Sequence, residues 1–151
     1  HAGSEDLGKV YNDLVLDTFG KSIDMTAEEL ERFAESREGV KDLTDAIRTK
    51  AEEVYHDKYT RYGEGIMHQV EHIVFLHTID FAWKDQLLQM DALKEGMNLR
   101  AYGQEDPLMA YQKEAYELFG QLMDQIKHDI IRALFTFEIQ PAKTERKNDR
   151  S

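Results

Sequence analysis

The sequence predicts an all-α protein, a small lobe of about three helices followed by a long antiparallel two-helix hairpin. Three observations carry that expectation. Apolar residues recur at steps of three and four along most of the chain, the spacing that lines one face of a helix. Ile66 to Asn98 runs without a proline and with Gly96 as its one glycine. Asp106-Pro107 then supplies a fresh helix start, because Asp is a preferred N-cap and proline tolerates the first helical position, where its missing N–H would have had no partner.

Leu7, Val10, Tyr11, Leu14, Val15 and Phe19 mark the first helix, and Gly20 stands where a left-handed C-terminal cap is wanted. Thr26 and Glu29 have the capping-box spacing, so a short second helix is expected from there to about Arg37, ended by Gly39. Leu43, Ile47, Ala51, Val54, Tyr55, Tyr59 and Tyr62 form the apolar stripe of a third helix over Lys41 to Tyr62. Gly63 and Gly65 interrupt it, and each glycine costs about 1 kcal/mol in a helix relative to alanine, so a boundary is expected there. The chain thus divides into a lobe over 1–63, a hairpin over 64–140 and a flexible tail over 141–151, which is polar, basic and aperiodic beyond Pro141.

At roughly 1.5 Å per residue the helix from Ile66 is about 50 Å long and needs a companion. Leu108, Tyr111, Ala115, Leu118, Phe119, Leu122, Ile126, Ile130 and Leu134 provide it, as the stripe of one helix lying along another. Leu99 to Asp106, between the two, is too short to let them point anywhere but back along each other. Near the other end, Ile73-Val74-Phe75-Leu76 with Ile79, Phe81, Ala82 and Trp83 are apolar on more than one face. Such a helix is expected to be covered on several sides, by the lobe, by a second copy in a homodimer, or by a further domain.

Thirty Asp and Glu against 19 Lys and Arg leave a net charge of −11, which excludes an electrostatic footprint for nucleic acid. The lack of cysteine excludes disulfides, thiolate metal sites and a thiol nucleophile, and accords with a reducing cytoplasm. His1 to Ser4 have neither the basic start nor the apolar core of a signal peptide. The longest apolar run, Ile73 to Leu76, is far too short to cross a bilayer, so any membrane contact is expected to be peripheral.

His68-Gln69-Val70-Glu71-His72 matches the H-x-x-E-H spacing of inverted zinc proteases, since histidines four apart share a helix face and a neighbouring glutamate can act as base. Nothing downstream singles out a third ligand, and a solvated helix face explains the same residues; no metal is assigned. His77, within the apolar run, is expected to be a hydrogen-bonded core histidine. No phosphate-binding loop, nucleophile elbow or calcium loop is present, so no catalytic residue is assigned. Glu28, Glu29, Glu31, Glu35 and Glu38 read as a solvated face, with an acidic docking patch as the alternative. At the tip, Arg100 and Tyr102 are large side chains of the types enriched at interface hot spots, although a tyrosine folded back on the helix ends is the alternative.

A family resemblance follows from longer stretches. Leu76-His77-Thr78-Ile79-Asp80-Phe81-Ala82-Trp83-Lys84-Asp85-Gln86-Leu87 resembles the L-x-x-I/L-D-x-x-W-K/R-E/D-x-L run of the SecA preprotein translocase ATPases, and Met90 to Gly96 continues it as M-D-x-L-R/K-x-G. Leu99-Arg100-Ala101-Tyr102-Gly103-Gln104-Glu105-Asp106-Pro107 resembles the family's finger tip, L-R-G/A-Y-G/A-Q-x-D-P, and Tyr111-Gln112-Lys113-Glu114 its Y-K/Q-R/K-E. The likeness runs from about Gly63 to Ile139; upstream, Phe19-Gly20 and Ala51 to Tyr55 are weakly similar to the helical wing. Glu105, where many relatives are basic, and a tail without the family's Cys-rich zinc motif are departures.

The resemblance implies a C-terminal part of the motor: helical wing, then a helical-scaffold two-helix finger. In this family the motor domains hydrolyse ATP with Mg, and the finger enters the cytoplasmic mouth of the SecYEG channel and contacts the unfolded preprotein. The expected contact residues are Leu99, Arg100, Ala101, Tyr102, Gly103 and Gln104, with Tyr102 matching the tip tyrosine. Ile73, Phe75, Ile79 and Trp83 are then expected to couple the finger to the scaffold and the SecA motor domains. This segment itself is expected to be non-catalytic and to hold no cofactor, in a protein that is cytoplasmic and peripheral at the inner face of the bacterial plasma membrane. A free-standing helical adaptor is the rival reading, and a zinc hydrolase a distant third.

Overall fold

The computed structural model describes residues 2–23, 25–100 and 106–140. Among these the regular structure is entirely helical: α1 (Ala2–Phe19), a 3-10 turn (Gly20–Ser22), α2 (Ala27–Glu35), α3 (Gly39–Tyr62), α4 (Glu64–Arg100) and α5 (Pro107–Thr136). The all-α expectation holds.

Several helix ends are set by the residues that announce them. Gly20 turns α1 off with φ +61°, and a Cβ there would lie 2.8 Å from Thr136 Cγ2, so both the backbone and the close approach of α5 require glycine. At the start of α2, Glu29 N–H donates to Thr26 Oγ1 at 3.2 Å while Thr26 N–H donates to Glu29 Oε2 at 3.0 Å, a complete capping box. The Thr26 amide and the Lys50 ammonium together hold the Glu29 carboxyl below its ordinary pKa. Asp106 caps α5 by accepting from Leu108 N–H at 3.1 Å, with Pro107 at the first helical position.

Two boundaries differ from the sequence reading. α2 stops at Glu35, before Arg37, and Gly39 opens α3 instead of closing α2. Ser36 is the cause, because its hydroxyl donates to Asp42 Oδ2 at 2.8 Å and ties the link to the first turn of α3. Of the two glycines expected to interrupt the chain, only Gly63 does so, at φ +86°, while Gly65 lies within α4. One residue in a conformation that favours glycine is enough to separate the helices.

The lobe has its own core of Val15, Ile23, Met25, Leu30 and Leu43, enclosed by Phe19, Phe33, Ile47, Ala51 and Val54. α4, at 37 residues, is roughly 55 Å long, and α5 returns along it. Ala82, Asp85 and Gln86 of α4 line one groove together with Leu118, Leu122 and Gln125 of α5. Met67, Ala82 and Met97 on α4 and Leu122, Ile130 and Leu134 on α5 are the buried apolar residues of the hairpin. α1 and the 3-10 turn pack on α5 and α3 packs on α4, which seats the lobe at the end of the hairpin where α4 begins and α5 ends.

Candidate functional site

The expected tip falls mostly outside what is described: Ala101, Tyr102, Gly103 and Gln104 lie outside the described residues, and Leu99 and Arg100 are described only as the last helical backbone of α4. Their support is described. α4 runs unbroken from Glu64 to Arg100, and α5 restarts at a doubly signalled N-terminus, so the chain leaves and re-enters the hairpin at one end.

The expected coupling residues sit on α4 with their side chains open to solvent: Ile73 is 55% exposed, Phe75 45%, Ile79 45% and Trp83 50%. Within this chain the lobe and α5 together leave about half of each side chain uncovered. Leu76 and Leu87 share the flank of Ile73 and Trp83, at steps of three, seven and four. His77 is exposed as well, which corrects its reading as a core histidine; it shares the open side of a helix whose buried contacts are made by Met67, Ala82 and Gln86.

The H-x-x-E-H residues are divided among different tasks. His68 pairs with Glu64 at 3.8 Å, its ring lies 6.2 Å from that of Tyr59, and His72 is exposed. Glu71 is turned toward α3, where the Tyr55 hydroxyl donates to Glu71 Oε1 at 2.7 Å and the Tyr59 hydroxyl donates to the same oxygen. Glu71 is therefore an anchor between helices, which a solvated face does not describe. Burial pushes the Glu71 carboxyl up, but the hydrogen bonds from Tyr59 and Tyr55 outweigh it and leave it below its ordinary value. Burial and Glu71 push Tyr55 well up, and the bond to Glu71 followed by burial brings Tyr59 to about 12. Among the described residues no three His, Asp or Glu side chains group so as to hold a metal ion.

At the other side of this junction Lys58, 4% exposed, reaches the end of α5. Its ammonium donates to the carbonyls of Leu134 at 3.0 Å, Phe135 at 2.9 Å and Phe137 at 3.0 Å, and lies 4.1 Å from the centroid of the Phe137 ring. The last carbonyls of a helix lack intrahelical partners and carry the negative end of its dipole, so a buried cation is well placed there. Burial and nearby Arg61 lower the Lys58 pKa, with Glu138 opposing them. The Ser22 hydroxyl donates to the Phe135 carbonyl too, and the Phe135 ring lies 4.9 Å from Phe19 and 5.7 Å from Tyr55. One turn earlier, Arg132 donates to the carbonyl and carboxylate of Asp17, and His128 Nε2 stands 3.0 Å from Asp17 Oδ2.

Of these junction residues, Lys58, Ser22, Asp17, His128 and Arg132 are not singled out by the sequence reading, and Glu71 is named there only within the H-x-x-E-H run. A signal existed for Lys58, which interrupts the stripe of Val54, Tyr55, Tyr59 and Tyr62 at a stripe position; a lysine there must snorkel or find acceptors. No comparable signal marks Glu71, whose partners are set by how α3 crosses α4.

Comparison with known proteins gives a consistent result. A family model described as the SecA wing and scaffold domain matches residues 4–138. The protein translocase subunit SecA of Solibacter usitatus is 40% identical over 139 residues, covering 92% of this chain and 14% of that protein. SecA of Syntrophobacter fumaroxidans is 38% identical over 140 residues, 93% of this chain and 16% of its own length, and that of Thermodesulfovibrio yellowstonii 42% over 99 residues, 66% and 11%. The chain thus spans about a seventh of the length of these curated relatives. No solved structure matches.

Proposed function

The chain belongs to the SecA wing and scaffold family, and from that membership we propose that it serves as the reaching arm of an ATP-driven preprotein translocase. In this reading residues 1–63 are the helical wing and 64–140 the two-helix finger. The tip, Leu99 to Gln104, touches the SecY channel and the unfolded preprotein, with Tyr102 as the main contact. A tyrosine suits this task, because its ring makes apolar contact with varied side chains while its hydroxyl offers one adaptable hydrogen bond.

The observation that carries the reading is the hairpin itself. α4 and α5 pack along each other, and the C-terminal end of α4 and the N-terminal end of α5 lie opposite the wing, which supports a tip that acts at a distance from whatever drives the arm. ATP and Mg then belong to the motor domains, and this segment performs no chemistry of its own. Ile73, Phe75, Ile79 and Trp83, open on α4, are the surface through which the finger meets the scaffold and the motor, or a second copy in a homodimer. Among the described residues no helix is long and apolar enough to cross a membrane, which fits a peripheral place at the inner face of the bacterial plasma membrane.

The test replaces Tyr102 in the complete translocase. Tyr102→Ala is expected to leave basal ATP hydrolysis near the wild-type rate and to reduce preprotein transport at least about tenfold, the scale of a lost interface hot spot. Normal transport by that variant would overturn the tip assignment.

A further inference from the structure

The contacts between wing and finger converge on a small part of the hairpin. Lys58 from α3 and Ser22 from the 3-10 turn bind carbonyls at the C-terminal end of α5, and Asp17 from α1 holds Arg132 and His128 one and two turns before them. Three elements of the wing thus seize about ten residues of one helix. Most of these bonds are exposed or are made by neutral groups; Lys58 is the buried, charged one, and it satisfies three carbonyls at once.

We propose that Lys58 is a positioning residue, whose ammonium, seated on the Leu134, Phe135 and Phe137 carbonyls, joins the wing to the base of the hairpin so that the two move as one lever. This rests on reading the hairpin as a reaching arm, but the joint can be tested separately from the tip. The geometry gives the reason. Gly63, at φ +86° and hydrogen-bonded to the Tyr59 carbonyl and the Met67 amide, links α3 to α4 alone and makes no covalent connection from α3 to the end of α5. The hold of α3 on the end of α5 comes from side chains crossing the junction, Lys58 foremost. A cation in place of a neutral donor makes stronger bonds to carbonyls and complements the negative end of α5.

Hydrogen exchange resolved by peptide tests this on the 151-residue chain, whose lack of cysteine allows one to be introduced cleanly. Lys58→Met and Lys58→Cys are compared with wild type, and the cysteine variant is measured again after aminoethylation, which rebuilds a lysine-like ammonium. The expected result is exchange faster by about tenfold or more in α3 and in the last turn of α5, with the middle of the hairpin unchanged and protection restored by aminoethylation. Unchanged exchange at the junction would overturn the proposal. So would loss of protection throughout the hairpin or of overall helicity, since either makes Lys58 a general requirement of the fold, and so would failure of the rebuilt ammonium to restore protection. None of these results bears on Tyr102, so the lever and the tip fail independently.

Discussion

The Lys58 ammonium lies 4.1 Å from the centre of the Phe137 ring and 3.0 Å from that same residue's carbonyl oxygen. Phe137 thus grips the cation with both its backbone and its ring, immediately after α5 ends. Tyr62 extends the contact, with its ring 5.7 Å from that of Phe137, so the end of α3 and the end of α5 are stacked through an aromatic pair with a buried charge beside it.

That dual grip separates ring from carbonyl in an experiment. Phe137→Leu keeps the carbonyl and much of the apolar bulk but removes the negative face of the ring. The loss expected is about 1 kcal/mol, the size of a partly desolvated cation–π contact. Urea unfolding of the variant beside wild type measures it; an unchanged midpoint would mean that the carbonyls alone hold the cation.

Glu71 predicts a pH dependence. Its carboxyl titrates below the ordinary value in the folded chain, because two tyrosine hydroxyls donate to the charged form. A group of this kind contributes stability that is complete above its unfolded pKa and is lost as pH falls through the lower folded value. Glu71→Gln is therefore expected to cost about 1 kcal/mol at neutral pH, after allowance for solvent around the cluster, and progressively less below about pH 4. Denaturant unfolding of both proteins across that range checks the sign. A cost that grows on acidification would contradict the assignment.

Much of this was legible in the residues because each signal was local. Gly20, the Thr26–Glu29 pair and Asp106-Pro107 act on their own turn of helix and need no partner elsewhere. The link from Ser36 to Gly39 was misread because a serine and an aspartate six residues apart decide it. The junction was largely illegible, since Glu71 meets Tyr55 and Tyr59 only once α3 and α4 have crossed, and nothing in the spacing of one helix reports the crossing. His77 was misplaced for a related reason. Its apolar neighbours read as a buried run, yet the buried face of α4 is that of Met67, Ala82 and Gln86, and His77 with Ile73, Phe75 and Leu76 stays open.

The contrast between those faces yields the last prediction. Met67 is completely buried, and Ile73, less than two turns further along the same helix, is 55% exposed. Met67→Ala is expected to cost about 2 to 4 kcal/mol, through lost burial and the cavity left behind, whereas Ile73→Ala should change stability by less than about 0.5 kcal/mol. Both are read from urea midpoints of the chain at low concentration, where self-association is suppressed. If Ile73→Ala proved as costly as Met67→Ala under those conditions, the open flank would be part of the chain's own core. An indifferent Ile73 would instead leave that flank free for a partner to cover, as a coupling surface requires.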